Sequence, residues 1–176
     1  MSAQTIHFKS ILITVVLCSL LSCSYKPNFN RSYNAEDCMI IGYIDFLIDL
    51  GTGTYKFKSE EKSSCDAKVN ITRNNSYNLL SLNYKDGYFY NTAVSPGFYN
   101  FKSINTFHVM LGKEISIPIN KDFRVEKGNI LYLGHMTIKQ NGSLYINKNV
   151  SDCKNYIMSK NKKWLDHKIV VLDYND

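Results

Sequence analysis

The sequence contains no G-x-S-x-G elbow, no P-loop and no H-E-x-x-H pair, so the short signatures of three large enzyme classes are missing. It has no C-x-x-C pair either, and His108, His135 and His167 are too widely separated for a metal motif, so neither a metal site nor a cofactor is assigned. No internal repeat is evident. No apolar run reaches the roughly twenty residues that span a bilayer; the run from Ile11 to Leu21 is shorter and is interrupted by Thr14, Cys18 and Ser19. Clustered charge is also lacking. The net charge of +6 over 176 residues is spread through Asn-, Ser- and Lys-rich stretches rather than interleaved with stacking aromatics, which argues against a nucleic-acid partner.

What is present begins at the amino end. Lys9 precedes the short apolar run, and the run ends in Leu20-Leu21-Ser22-Cys23. A basic start, an apolar core and a small residue before a break describe a removable export signal over residues 1–22. The tetrad resembles the lipobox of bacterial lipoproteins, which implies that Cys23 becomes the acylated first residue of the mature chain. Removing 1–22 takes away one basic residue and no acid, which lowers the net charge to +5. Two or three acyl chains hold a protein on a membrane without a spanning helix, because each buried methylene contributes about 0.8 kcal/mol. The resemblance therefore implies a membrane partner through the lipid, in the cell envelope. Ser24 after the lipidated position resembles the signal for the outer membrane in a Gram-negative cell. The Pro-, Asn- and Ser-rich residues 23–37 read as a flexible tether.

Three cysteines then remain, Cys38, Cys65 and Cys153, and an odd number in an oxidising compartment suggests one disulfide and one buried thiol. Residues 39–49 and 54–58 look like two strands joined by Leu50-Gly51-Thr52-Gly53. A hairpin centred between Gly51 and Thr52 pairs residues whose numbers sum to 103, a register that sets Cys38 opposite Cys65 provided that no bulge intervenes. These two are the candidate disulfide. Asp45 and Asp49 share strand parity with Leu47, so a buried face there would oblige them to find partners.

Beyond the hairpin, short β-branched or aromatic runs alternate with Asn, Gly, Asp and Lys clusters, the pattern of an antiparallel sandwich or barrel. Strands are expected near Lys68–Thr72, Leu79–Tyr84, Tyr88–Tyr90, Gly97–Ile104, Thr106–Leu111, Glu114–Ile119, Asp122–Glu126, Asn129–Lys139 and Ser143–Asn147. The character then changes. Cys153, Tyr156, Ile157, Lys160 and Trp164 recur at spacings of three and four, which predicts an amphipathic helix over 151–164 capped by Ser151 and Asp152, with Cys153 packed on the sheet. The Lys160–Lys163 run reads as its solvated last turn, and Lys168–Asp173 as a final strand or docked tail.

Asp86-Gly87-Tyr88-Phe89-Tyr90, Ser95-Pro96-Gly97-Phe98-Tyr99 and Phe123-Arg124-Val125-Glu126-Lys127-Gly128-Asn129-Ile130-Leu131-Tyr132-Leu133-Gly134 occur in that order. Together they resemble the prealbumin-like, or carboxypeptidase regulatory-like, β-sandwich domains of bacterial envelope lipoproteins. The resemblance covers about Met39 to Ile146 and implies an all-β, prealbumin-like or Ig-like antiparallel sandwich serving as a structural or interaction module; with the one short carboxyl-terminal helix packed on it, the domain is expected over 38–176. It carries over no catalytic residue. Pro96 fixes φ and Gly97 allows a corner, Tyr99 buries its ring with its hydroxyl satisfied nearby, and Gly134 within a strand signals a bulge or close approach. Gly128 and Tyr132 complete the last motif. A second function stays open, a ligand-binding lipoprotein whose aromatics in 77–90 and 98–107 meet a glycan or a peptide.

Overall fold

A computed structural model describes Phe29 and residues 36–49, 54–58, 65–74, 76–108 and 113–175. Among the described residues ten strands, one α-helix and one 3-10 turn follow in order: β1 Cys38–Asp49, β2 Thr54–Lys58, β3 Cys65–Arg73, β4 Asn83–Lys85, β5 Tyr88–Val94, β6 Gly97–His108, β7 Lys113–Val125, β8 Asn129–Lys139, β9 Leu144–Asn147, α1 Ser151–Asn161, the turn Lys162–Asp166 and β10 Lys168–Val171. Strands β10, β8, β1, β5 and β4 lie side by side, with β2 added to β1 and β9 to β8, making a seven-stranded sheet; β3, β6 and β7 form a second sheet.

Alternation along β1 explains the layering. Ile40, Ile44, Phe46 and Ile48 point into a core shared with Ala67, Val69, Ile71, Phe101 and Ile104 of the smaller sheet, giving a sandwich-like pair of sheets. Met39 and Ile41 point the other way, into a second core with Cys153, Tyr156, Ile157 and Trp164 from α1 and its following turn. Strand β1 is thus apolar on both faces, and each fully buried Ile contributes about 1.5–3 kcal/mol. Among the described residues no helix is long and apolar enough to cross a membrane.

Several expectations need correction. The large sheet is mixed rather than antiparallel, because β1 pairs β8 in parallel and β8 pairs β10 in parallel. Parallel neighbours need long crossovers; the second sheet lies in the chain between β1 and β8, and α1 lies between β8 and β10. The separate strands expected on either side of Asn105 are one strand, β6, where Asn105 accepts hydrogen bonds from Ser103 and Ser116 and stays in the ladder. Likewise β7 runs through Asn120, whose φ of 51° accompanies a register shift, a bulge in place of a turn. Of the expected strand Leu79–Tyr84, only Asn83 and Tyr84 are strand, within β4, with Leu79 bridged singly to Thr72. The helix begins one residue after Val150 with no side-chain cap; Asn149 instead accepts the Ser151 amide.

The hairpin register summing to 103 is found from Asp45↔Lys58 to Asp49↔Thr54. It does not extend to the cysteines. Strand β2 ends at Lys58 and Cys65 opens β3 in the other sheet, opposite His108, while Cys38 pairs with Val94. The expected Cys38–Cys65 disulfide is therefore corrected: Cys38 is a buried free thiol whose Sγ donates to the Glu126 carbonyl at 3.2 Å. The Cys65 side chain lies outside the described residues.

Candidate functional site

The only glycine inside β8, Gly134, takes a φ of +98°, and the pairing with β1 shifts there by one residue, from Ile41↔Tyr132 to Tyr43↔His135. This bulge inverts the facing of the strand. Leu131 and Leu133 before it, and Met136 and Ile138 after it, all enter the inter-sheet core, so His135 turns outward to the helix side beside Tyr132.

On that outer face Asp45 is completely buried. Its Oδ2 receives His135 Nε2 at 2.6 Å and Lys56 Nζ at 2.9 Å, while Oδ1 has no hydrogen-bond partner among the described residues. Burial by itself would raise the Asp45 carboxyl, but hydrogen bonds from His135 and Lys56 outweigh it and hold the group below its ordinary value. Lys56 reaches in from β2, diagonal to Asp45 across the hairpin.

A chain of rings leads away from this pair. Tyr43 meets His135 edge-on at 4.5 Å and Tyr88 at 4.8 Å; Tyr88 stacks on Tyr156 of α1 at 3.8 Å; Tyr156 touches Phe29 at 5.9 Å. Tyr88 donates its hydroxyl to the Asp152 carbonyl, tying sheet to helix. Between these rings and the Asp45 cluster opens a cleft of about 420 Å³, lined by Tyr43, Lys56, Tyr88, Tyr132, His135 and Tyr156 together with Asp86, Asp152 and Asn155. The Tyr43 hydroxyl has no hydrogen-bond partner among the described residues, and Tyr132 is fully buried behind it. Burial raises both, Tyr43 to about 12, so each remains a protonated donor at neutral pH.

Of the residues singled out from sequence, Tyr132 and Gly134 belong to this cleft, one as a wall and the other as the bulge that aims its neighbour. Gly128 takes a φ of 69° in the turn before β8. Pro96, Gly97 and Tyr99 build the β5–β6 corner, where the buried Tyr99 donates its hydroxyl to the Ser95 carbonyl at 2.7 Å. Cys38 is at the start of β1, and Cys23 lies outside the described residues. Phe29 falls within the expected tether yet is 3% exposed, with its carbonyl accepting from Asn161 Nδ2. Of the aromatic stretch 77–90, Tyr77 is exposed but Tyr88, Phe89 and Tyr90 are buried. Sequence reasoning missed Lys56 and Tyr43, although the hairpin register already set Lys56 opposite Leu47, one step along the face from Asp45. Among the described residues no group of three metal-ligating side chains occurs.

No family model, curated protein or solved structure matches this chain.

Proposed function

We propose that this chain is a lipid-anchored, noncatalytic bacterial envelope lipoprotein whose sandwich-like domain is an interaction module. The observation that carries the anchor is the tetrad Leu20-Leu21-Ser22-Cys23 behind a basic residue and a short apolar run. Docking of Phe29 adds a geometric consequence: six residues of extended chain reach about 20 Å, so a lipidated Cys23 would hold the body close to the membrane surface. A prealbumin-like or Ig-like type within the sandwich is part of the same reading. It is supported by the Pro96-Gly97 corner and by Tyr99, whose hydroxyl bonds back to the backbone four residues upstream as in the tyrosine corner of Ig-like sandwiches. The test is labelling of cells with a fatty-acid analogue. Label and membrane association are expected for the native chain and not for Cys23→Ala; equal behaviour of the two removes the anchor.

A second reading, that the module binds a small ligand, is favoured by the unpartnered Tyr43 hydroxyl and the exposed Lys56 ammonium at one cleft. Ligand-induced changes in the side-chain resonances of those residues and of His135 test it.

A further inference from the structure

We infer that the cleft between β1, β8 and α1 takes a carboxylate group, an inference that rests on the ligand-binding reading just given. Its polar wall offers donors. The Lys56 ammonium uses one contact on Asp45 and is 55% exposed, which leaves N–H groups directed elsewhere. The Tyr43 phenol is a donor with no hydrogen-bond partner among the described residues, and burial keeps it protonated. His135 gives Nε2 to Asp45, which fixes its ring in the wall of the cleft.

The acids nearby are largely answered. Asp45 is compensated by Lys56 and His135, Asp86 pairs with Lys160 at 3.4 Å, and Asp152 stands in the first turn of α1, where the helix dipole offsets its charge. A ligand that supplies acceptors satisfies this set; one that supplies only donors leaves it unpaired. A carboxylate with its two oxygens engages an ammonium and a phenol together, in charge-assisted hydrogen bonds about twice as strong as neutral ones. The volume of about 420 Å³ accommodates one sugar ring or one amino-acid end, and the stacked Tyr88 and Tyr156 rings supply the apolar wall such a group rests on. An acidic sugar and a peptide carboxyl terminus share the recognised chemistry.

The experiment is an NMR titration of the full chain in detergent micelles with glucuronate, glucose, N-acetylglycine and N-acetylglycinamide. At least one acid is expected to shift the His135 and Tyr132 side-chain signals, with about tenfold tighter binding than its neutral counterpart. Response to glucuronate alone identifies an acidic sugar as the source, and response to N-acetylglycine alone a chain end. Lys56→Met and Tyr43→Phe are each expected to weaken acid binding about tenfold while Lys56→Arg restores it, with thermal melting confirming that the variants fold. Equal binding of acid and neutral partner, or acid binding unmoved by both variants, overturns the carboxylate assignment and leaves the cleft a binding site of other specificity. Absence of any shift with all four probes overturns the ligand-binding reading and the inference with it.

Discussion

His135 Nε2 lies 2.6 Å from Asp45 Oδ2, between residues 90 positions apart in sequence, and the contact follows from the bulge at Gly134. In an unbroken strand His135 would share a face with Leu133 and Leu131 in the inter-sheet core. The extra residue turns it outward, so it stands across from Tyr43 and diagonal to Asp45.

Gly134→Ala tests this directly. A Cβ there would sit 2.7 Å from Ile146 Cγ2 on a backbone with positive φ, so the substitution is expected to cost about 1–3 kcal/mol and to shift the His135 resonances. Thermal melting and NMR measure both. A variant as stable as the parent with unchanged His135 signals contradicts the bulge as the aligning device.

Acid stability should report Asp45. Its carboxyl is depressed from the ordinary 3.8, so the cluster's contribution is fully present above that value and is lost as pH falls through the lower folded value. Asp45→Asn is expected to cost about 1–3 kcal/mol at neutral pH and to flatten the acid limb of the stability curve. Denaturant unfolding at a series of pH values provides the comparison; an acid limb as steep in the variant as in the parent contradicts the assignment.

The sequence carried facing well and neighbours poorly. The β1–β2 register was legible because few residues separate the two strands and a short connection leaves few alternatives, and the three-and-four spacing from Cys153 marked α1. Alternation in β1 says which side chains share a face, but nothing in it names β8 as the parallel neighbour, since that pairing spans most of the chain. Asn105 and Asn120 looked like breaks because Asn favours turns; the ladder absorbs one by side-chain hydrogen bonds and the other as a bulge. The need of Asp45 for partners was legible from its parity. Lys56 could be placed from the hairpin register, whereas His135 required the tertiary fold and the Gly134 bulge together.

Alkaline stability should report Cys153. The thiol is buried beneath α1 and is pushed by desolvation from 9.0 up to about 12. A raised value in the folded state means that its contribution is intact below 9.0 and declines as pH climbs towards 12, where the unfolded chain ionises first. Cys153→Ala is expected to reduce that decline, leaving a later one from the buried tyrosines. In the native state both Cys38 and Cys153 should resist alkylation and react on unfolding, read by intact mass; rapid native alkylation of Cys153 contradicts its packing.

Phe29→Ala should show that the segment before β1 is part of the body. The ring lies against Tyr90 and Tyr156, and its removal is expected to cost about 3 kcal/mol in thermal or denaturant unfolding. A neutral effect contradicts docking of this segment.

The central claim concerns position 23, and intact-mass and peptide analysis of the protein recovered from bacterial membranes tests it most directly. The account predicts a mature chain that starts at Cys23 and carries a diacylglyceryl thioether. A chain that retains residues 1–22, or that starts at Cys23 with a free thiol, contradicts it.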